Sequence, residues 1–452
     1  MTKKINVHHV TRVEGHGNIV VEVNDGRLDI CRFDVVETPR FFEAMLRGRP
    51  YIEASHITSR ICGICATGHA TASLRASEKA LGVQLSEQTQ LLRKLVFHGE
   101  ILDSHILHIY MLVAPDFLGV GSVIPLATTH REVVLRALRM KKLSGDLCAM
   151  VAGRHTHPIA MTVGGFTHFP THAELKAMRQ RLVDNRVDLD ATVELAASLP
   201  WPKFERDTEY LSLHKPDEYA FIDGEIMSSD GVTFQAEQYK EFTNEYLVPH
   251  CSAKFTRNLR DSYMVGALAR FNNNYDQLHP RAKAAAEKLG MRPKVTNTFL
   301  NTGAQVVEIV HCSEDAIQII DQLLEMGVKP ELPAPVNLKP NAHGTGVCEV
   351  PRGMLIHSYM IDENGMIKEW LTPRLAPARP SEGTPGQRQV RQTRVARRIE
   401  HGLHDEVGVG GASGYGVLRG GGEDEVLQGV GIDGDQGSDG TAMLGDDHRV
   451  PR

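Results

Sequence analysis

The chain has 452 residues, enough for one large core or for two or three smaller domains. Its formal net charge of −6 comes from interspersed acidic and basic residues, so we expect neither nucleic-acid nor membrane binding. No apolar run reaches the roughly 18–20 residues of a membrane span, and the first residues do not resemble a secretory signal. The seven cysteines are mostly isolated, which favours a reducing compartment. We therefore expect a cytoplasmic globular protein.

The N-terminal part of the chain predicts a β hairpin followed by helices. Alternating apolar residues at 19–23 and 28–36 flank Asn24-Asp25-Gly26, whose Asp-Gly pair suits a tight turn. Helix-forming residues then occupy 66–81 and stop at Gly82. Ser86 is predicted to cap a longer helix that runs toward Pro115.

Further signals place two more helices and a second hairpin. Thr171 and Glu174 have the spacing of a capping box that opens a long helix. Ser313 is predicted to start a short amphipathic helix that ends at Gly327, and Asn364-Gly365 marks a hairpin. Together these elements predict an α+β, helix-dominated fold with β hairpins near the N-terminus and around 350–372. One domain is predicted to cover residues 1–373.

Residues 374–452 have a different composition, with arginine at every third position in 388–397 and then short Gly, Asp and Val runs. Arginine at that period matches neither helix nor strand, and the later runs contain few large apolar groups. Too little burial is available there to offset an ordering cost of roughly 1–2 kcal/mol per residue. We expect this segment to be disordered or aberrant.

The most informative cluster is Arg60-Ile-Cys62-Gly63-Ile-Cys65-Ala-Thr-Gly-His69. It places two soft sulfur donors one helical turn apart, which suits nickel, iron or zinc. The start of the predicted helix at residue 66 would favour thiolate over thiol. Alternatives are a redox dithiol, half of a zinc knuckle, a zinc-binding module that adds His69, or two buried thiols acting as small apolar groups.

The cluster resembles the Arg-x-Cys-Gly-x-Cys-x-x-x-His signature of the large subunit of nickel–iron hydrogenases. Four further segments are similar to motifs of that family and occur in the same order: residues 10–16, 39–43, 104–108 and 349–353. The resemblance covers about residues 5 to 373. Segments such as residues 356–359 are closer to the cytoplasmic subgroup that couples to soluble carriers such as NAD(P) or F420.

The resemblance implies a site in which nickel is bridged to an iron that carries CO and cyanide. By position, Cys62 would be a terminal nickel ligand and Cys65 a bridge between nickel and iron. His69 would donate a hydrogen bond to the bridging sulfur, an outer-shell contact that tunes a metal. The alternative for His69 is a helix-face histidine bonded to a backbone carbonyl.

Three charged residues complete the implied site. Glu14 would be the first proton carrier; alternatively it bonds backbone amides. Glu43 would be an oxygen ligand to magnesium, or else a surface carboxylate. Arg352 would point its donors at cyanide; the alternative is an ion pair with Glu349.

Other histidines and cysteines receive weaker interpretations. His98, Leu102, His105 and Ile109 fall on one stripe of the predicted helix after Ser86, where histidines are usually core or interface residues. His105 and His108 are therefore weak candidates for neighbours of the site. We expect the five remaining cysteines to be structural thiols: Cys31, Cys148, Cys251, Cys312 and Cys348.

The chain departs from the family pattern after Pro373. The family ends in Asp-Pro-Cys-x-x-Cys-x-x-His, whereas here no cysteine follows Cys348, and Arg374 stands where a hydroxyl residue is usual. We favour out-of-frame translation of residues 374–452 over a natural disordered tail, because the change is abrupt. With two thiolates instead of four, this chain as written is expected not to assemble the nickel–iron centre.

The leading hypothesis is therefore an enzyme subunit whose intact form catalyses reversible H2 oxidation. The resemblance implies an iron–sulfur small subunit, since nothing in this chain suggests an electron relay, and further flavin subunits that reduce a carrier. The rival hypothesis is a non-catalytic hydrogenase-like scaffold or assembly protein. Retention of Cys62, Cys65, Glu14 and Arg352 together favours the enzyme lineage.

Overall fold

The computed structural model describes residues 2–7, 10, 15–38 and 40–370. Over these residues the α-helices are α1 (Phe41–Leu46), α2 (Tyr51–Thr58), α3 (Ala66–Leu81), α4 (Glu87–Leu107), α5 (Ala114–Phe117), α6 (Leu126–Thr129), α7 (Arg131–Ala152), α8 (His172–Asp184), α9 (Arg186–Ser198), α10 (Tyr239–Thr243), α11 (Ala267–Asn274), α12 (Pro280–Lys288) and α13 (Asn301–Met326). A π-helical segment, His108–Val113, joins α4 to α5.

Within the same described residues, the strands form four small sheets. They are β1 (Thr2–Val7), β2 (Gly17–Asn24), β3 (Arg27–Val35), β4 (Met161–Thr162), β5 (Gly165–Phe166), β6 (Glu209–His214), β7 (Glu225–Ser228), β8 (Thr233–Phe234), β9 (Tyr263–Met264), β10 (Ala342–Val350), β11 (Gly353–Ile361) and β12 (Ile367–Trp370). The sheet orders are β1-β2-β3, β4-β5, β8-β7-β6-β9 and β10-β11-β12. The pairing of β6 with β9 is parallel, and the other pairs are antiparallel.

Both predicted hairpins are present. β2 and β3 are joined by Asp25 and Gly26, which have φ angles of 51° and 75°, as an Asp-Gly turn of the primed type requires. β11 and β12 are joined across Gly365, which has a φ angle of 78°. The expected α+β fold is thus confirmed within the described ranges.

Helix boundaries follow their capping residues where these were identified. α3 ends at Gly82 in the left-handed conformation, and the Ser86 hydroxyl accepts a hydrogen bond from the Thr89 amide at the start of α4. Thr171 and Glu174 form the predicted capping box of α8.

The predicted helix start at Ser313 is wrong. Ser313 lies in the middle of α13, although that helix does end at Gly327 as expected. Apolar residues are buried both before and after Ser313, so packing along the whole helix outweighs the local capping preference of Ser-Glu-Asp.

α3 packs directly on β10, and this contact places the start of α3 in the core. A Cβ atom added to Gly346 of β10 would lie 2.2 Å from the Ala72 carbonyl oxygen and 2.6 Å from the Ala76 nitrogen. Small residues on both surfaces therefore let the two backbones touch. Within the described ranges, no helix is both long enough and apolar enough to cross a membrane.

Candidate metal centre

The two thiols predicted to bind metal lie at the turn that joins α2 to α3. Cys65 immediately precedes α3, and its backbone N–H donates a 3.0 Å hydrogen bond to Sγ of Cys62. Only 5% of Cys62 and 2% of Cys65 is exposed, and all seven cysteines are thiols rather than disulfides. The structure therefore holds the two residues side by side, buried, at a helix N-terminus.

A buried carboxylate from α4 holds the first turn of α3. The backbone N–H of Gly68 donates a 2.9 Å hydrogen bond to Oε1 of Glu100, and that of Thr67 donates one to Oε2. Cys65 supplies no side-chain cap, so Glu100 satisfies amides that would otherwise lack an acceptor. Burial raises the pKa of Glu100 to about 8, although the bonds from these two amides lower it.

Sequence reasoning did not identify Glu100. The one feature of the sequence that could have indicated it is its position one helical turn before Ser104, on a helix whose start was correctly predicted. Its partners lie more than thirty residues away in the chain, and nothing in the local pattern indicates them.

His69 lies one turn into α3, and its backbone N–H bonds the Cys65 carbonyl at 3.0 Å. Its Nδ1 lies 3.4 Å from Nε2 of His357, whereas the buried Nε2 has no hydrogen-bond partner. Burial lowers the pKa of His69 to about 3, so the ring is neutral. The alternative of a ring bonded to a backbone carbonyl is wrong.

Arg352 lies in the turn between β10 and β11. Its Nη1 donates a 2.7 Å hydrogen bond to Oγ of Ser104. The alternative ion pair with Glu349 is wrong, because Glu349 accepts from Nη1 of Arg270 at 2.9 Å and from the Leu213 amide at 2.7 Å. The sequence suggested the wrong partner because Glu349 precedes Arg352 closely in the chain, whereas Arg270 comes from a distant helix.

His105 and His108 lie in the core near Arg352. Burial lowers the pKa of both histidines, and the charge of Arg352 lowers it further. His105 bonds Glu308 at 2.7 Å, and His108 bonds Gln305 at 2.7 Å. Both rings therefore have protein partners on α13.

A fully buried cluster around Arg270 supports the Arg352 turn. Arg270 makes two hydrogen bonds with Glu308, at 2.7 and 2.8 Å, and also donates to the carbonyl oxygens of Val350 and Pro351. Burial alone would lower the pKa of Arg270, but the two carboxylates outweigh it and raise that pKa, and Arg270 lowers the pKa of Glu308 to about 2 despite its burial. Arg270 was not predicted, since an arginine in a short helix has no distinctive pattern.

The remaining predicted site residues are placed as follows. Glu43 lies on α1, with its side chain 19% exposed and an ion pair to Arg40 at 3.6 Å. Glu14 and residues 374–452 lie outside the described residues. The predicted proton carrier, the tail and the 1–373 domain boundary are therefore still predictions.

The described donors fit only part of a bimetallic centre. Cys62 and Cys65 are buried and adjacent, and the unpartnered Nε2 of His69 suits an outer contact to a sulfur. Across residues 15–38 and 40–370, however, no three His, Cys, Asp or Glu side chains are grouped to hold a metal ion. Cys62, Cys65 and His69 are therefore not grouped as a three-ligand site in the described structure, and the zinc-module interpretation receives no support from it.

Comparison with known proteins identifies the class. A family model described as nickel-dependent hydrogenase matches residues 40–132, and one described as HoxL-like matches residues 4–38. The alpha chain of sulfhydrogenase 1 from Pyrococcus furiosus is 33% identical over 367 residues, covering 80% of this chain and 85% of that protein. The chain therefore belongs to the nickel-dependent hydrogenase family of oxidoreductases, as a large subunit.

A second sequence relative and a solved structure agree with this assignment. One chain of the F420-non-reducing vhu hydrogenase of Methanocaldococcus jannaschii is 30% identical, covering 80% of this chain and 93% of that protein. A solved NAD+-reducing [NiFe]-hydrogenase superposes with a TM-score of 0.72 at 26% identity, covering 81% and 87% of the two chains. The resemblance seen in the sequence motifs is thus confirmed.

Proposed function

We propose that this chain derives from the large subunit of a cytoplasmic nickel–iron hydrogenase that catalyses reversible heterolytic cleavage of H2. Electrons would pass first to an iron–sulfur small subunit, then to flavin-containing, carrier-reducing subunits. One observation carries the proposal: Cys62 and Cys65 are buried side by side at the start of α3, joined by the hydrogen bond from the Cys65 amide to the Cys62 sulfur.

Cys62 and Cys65 would hold the metals as thiolates, Cys62 on nickel alone and Cys65 between nickel and iron. When bound, nickel and an iron carrying CO and cyanide would supply the electrophilic centre that polarises H2. His69 would place a ring nitrogen against the Cys65 sulfur. Burial of Cys62, Cys65 and His69 would exclude water from this contact.

Arg352 would present guanidinium donors to a cyanide ligand. Its bond to Ser104 uses Nη1, and the backbone that carries it is fixed by Arg270 through the Val350 and Pro351 carbonyls. A guanidinium held in this way loses little conformational freedom when it binds.

Two carboxylates would complete the site. Glu14 would accept the proton released from H2, and Glu43 would coordinate magnesium through oxygen. Both roles come from the motif positions of these residues.

The missing second cysteine pair limits the chain as it stands. Two thiolates provide half of the charge and half of the sulfur donors that the family's centre uses, so we propose that this polypeptide does not assemble it. The lost segment would be encoded in another reading frame after the codon of Pro373. A non-catalytic scaffold or assembly protein is the alternative, because it would need no second pair.

Metal loading tests the proposal directly. The complete chain would be co-expressed with nickel–iron maturation proteins and a hydrogenase small subunit, and nickel would be measured in the purified complex. We expect far less than one nickel per chain and no H2-dependent dye reduction. One nickel per chain would contradict the half-site proposal.

A chain in which the second cysteine pair is restored distinguishes the enzyme hypothesis from the scaffold hypothesis. If the nucleotide sequence after the Pro373 codon encodes a Cys-x-x-Cys followed by His in another frame, that version should bind nickel and reduce the dye. Cys65→Ser should abolish both, whereas Cys148→Ser, at a buried thiol that bonds the Val96 carbonyl, should retain both. Absence of such a motif from both other frames would favour the scaffold.

A further inference from the structure

Cys65 occupies the N-cap position of α3, yet its side chain does not cap the helix. Its backbone has φ and ψ angles of −115° and 22°, and its sulfur accepts no capping hydrogen bond. A capping residue is usually extended and accepts from the second or third amide of its helix. In α3 those two amides belong to Thr67 and Gly68, and both donate to the carboxyl group of Glu100 on α4. We call this carboxyl group the external cap of α3.

Packing around Gly68 makes room for the external cap. The side chain of Thr67 also hydrogen-bonds the Glu100 carboxyl group, and neither residue is more than 5% exposed. A Cβ atom at Gly68 would lie 3.1 Å from Oε1 of Glu100 and 2.3 Å from Cγ1 of Val350. A larger residue at position 68 would therefore collide with Val350 and crowd the carboxyl group.

The external cap gives the two sulfurs different surroundings. The backbone N–H of Cys65 donates a 3.0 Å hydrogen bond to Sγ of Cys62, whereas the second and third amides of α3 bond Glu100 rather than Sγ of Cys65. A hydrogen bond to sulfur uses lone-pair density that a metal could otherwise share. A sulfur that joins two metals needs one more lone pair than a sulfur on a single metal. Cys65, the proposed bridge, is the sulfur that the external cap spares.

We propose that Glu100 is a positioning residue that keeps the Cys65 sulfur out of the first turn of α3 and thereby available to metal. Without Glu100, two buried amides would lack an acceptor, at a cost that a nearby sulfur could reduce. Cys65 could cap them only by adopting the extended backbone of a capping residue, which would withdraw its N–H from Cys62. This inference rests on the proposed metal-binding role of Cys62 and Cys65, and it adds the residue that protects the second sulfur.

A serine at position 65 tests the external cap in the metal-free, full-length chain. Serine is a strong capping residue, so Cys65→Ser can stabilise α3 only where the amides of Thr67 and Gly68 lack an acceptor. We expect Cys65→Ser to raise the urea midpoint of Glu100→Ala relative to its effect in the chain that retains Glu100. Loss of the buried sulfur is common to both comparisons, so the difference between them isolates the cap.

Two further backgrounds make the test specific. Glu78, near the other end of α3, has a buried carboxyl group that bonds Arg93 and the Gly164 amide, so Glu78→Gln disturbs a comparable contact away from the cap. Cys65→Ser should give no relative gain in Glu78→Gln. Glu100→Gln keeps one acceptor oxygen for two amides, so it should give a smaller relative gain than Glu100→Ala, and it takes the place of the alanine variant if that variant does not fold.

Cadmium tests the consequence for metal binding, because it is a soft ion that prefers thiolates. Cd2+ alone would be titrated into the same metal-free chains, and binding would be read from the thiolate-to-cadmium charge-transfer absorption. We expect the unsubstituted chain to bind Cd2+ and expect Cys62→Ser and Cys65→Ser each to abolish this binding. The affinity should fall about tenfold in Glu100→Ala, because the Cys65 sulfur must first leave the amides that it caps. It should be unchanged in Glu78→Gln.

Equal effects of Cys65→Ser with and without the Glu100 carboxyl group would overturn the proposal. Absence of Cd2+ binding by the unsubstituted chain would do the same, and so would an unchanged cadmium affinity in Glu100→Ala, or in Glu100→Gln where it takes that variant's place. Neither measurement uses maturation proteins, a small subunit or H2. A failure of the proposed hydrogenase function would therefore leave both results unaffected, and a failure here would leave the nickel measurements standing.

Discussion

Glu100 and Ser104 lie one turn apart on α4, and each holds a different segment of the candidate site. Glu100 accepts the amides that open α3, directly after Cys65, and Ser104 accepts from Arg352 between β10 and β11. Residues at this spacing have Cβ atoms roughly 5–6 Å apart on one helix face. One turn of α4 therefore sets the distance between the cysteine turn and the arginine.

Removing the Glu100 carboxyl should destabilise the fold. Glu100→Ala leaves two buried amides without an acceptor, so we expect the free energy of unfolding to fall by about 2–4 kcal/mol in urea denaturation. Glu100→Gln keeps one acceptor oxygen and should lose clearly less. A Glu100→Ala variant as stable as the unsubstituted chain would show that this contact does not hold α3.

The same carboxyl should make stability depend on pH. Its pKa is raised to about 8 in the folded chain, above the ordinary value of 4.5, so between these values the folded state binds more protons than the unfolded state. Stability from this group is complete below the lower value and is lost as the pH rises, by at most about 1.4 kcal/mol per pH unit. Glu100→Gln lacks this loss, so urea denaturation of both proteins between about pH 5 and 8 should give diverging curves. Parallel curves would contradict the expectation.

Arg270 should be far more important for stability than an exposed arginine. Arg270→Met leaves Glu308 and Glu349 as buried charges without this partner, and we expect a loss of about 3–5 kcal/mol in the free energy of unfolding. Arg139, on α7, pairs with Asp188 at a largely exposed position, so Arg139→Ala is the matched control and should leave the urea midpoint almost unchanged. Similar midpoints for the two variants would argue against the Arg270 cluster.

An added methyl group should destabilise the fold at one glycine and have no effect at another. Gly346→Ala forces a Cβ against the α3 backbone and should cost about 1–3 kcal/mol or more. Gly63→Ala meets no atom within 4 Å, so thermal unfolding of the metal-free chain should be unchanged. A marked destabilisation by Gly63→Ala would mean that this glycine serves the fold rather than the site.

The local signals in the sequence were reliable where one residue's conformation decided the outcome. The Asp25-Gly26 turn, the Gly82 stop and the Ser86 cap are such cases. A positive φ angle favours particular residue types, and an amide at a helix start needs a hydrogen-bond acceptor only a few residues away. Ser313 failed as a helix start because the apolar surface on both sides of it is buried by distant parts of the chain.

The partners of charged residues were less predictable. Arg352 bonds Ser104 across 248 positions, and Glu100 bonds Gly68 across 32, so proximity in the sequence misleads where it suggests Glu349 for Arg352. Hydrogen bonds between charged and polar groups are strong where the groups are buried. Burial depends on which helices and strands pack together, and local sequence does not specify that.

The sequence by itself determined the class of the protein, the cysteine turn and the helix ends marked by Gly82, Ser86, Thr171 and Gly327, because these depend on residue types at short, fixed spacings. Only the tertiary structure decided that Glu100 caps α3, that Arg270 supports Arg352 and that His357 faces His69. Those contacts join elements far apart in the chain, and their geometry is set by the packing of α3 on β10 and β11 and of α13 on α4 and α11.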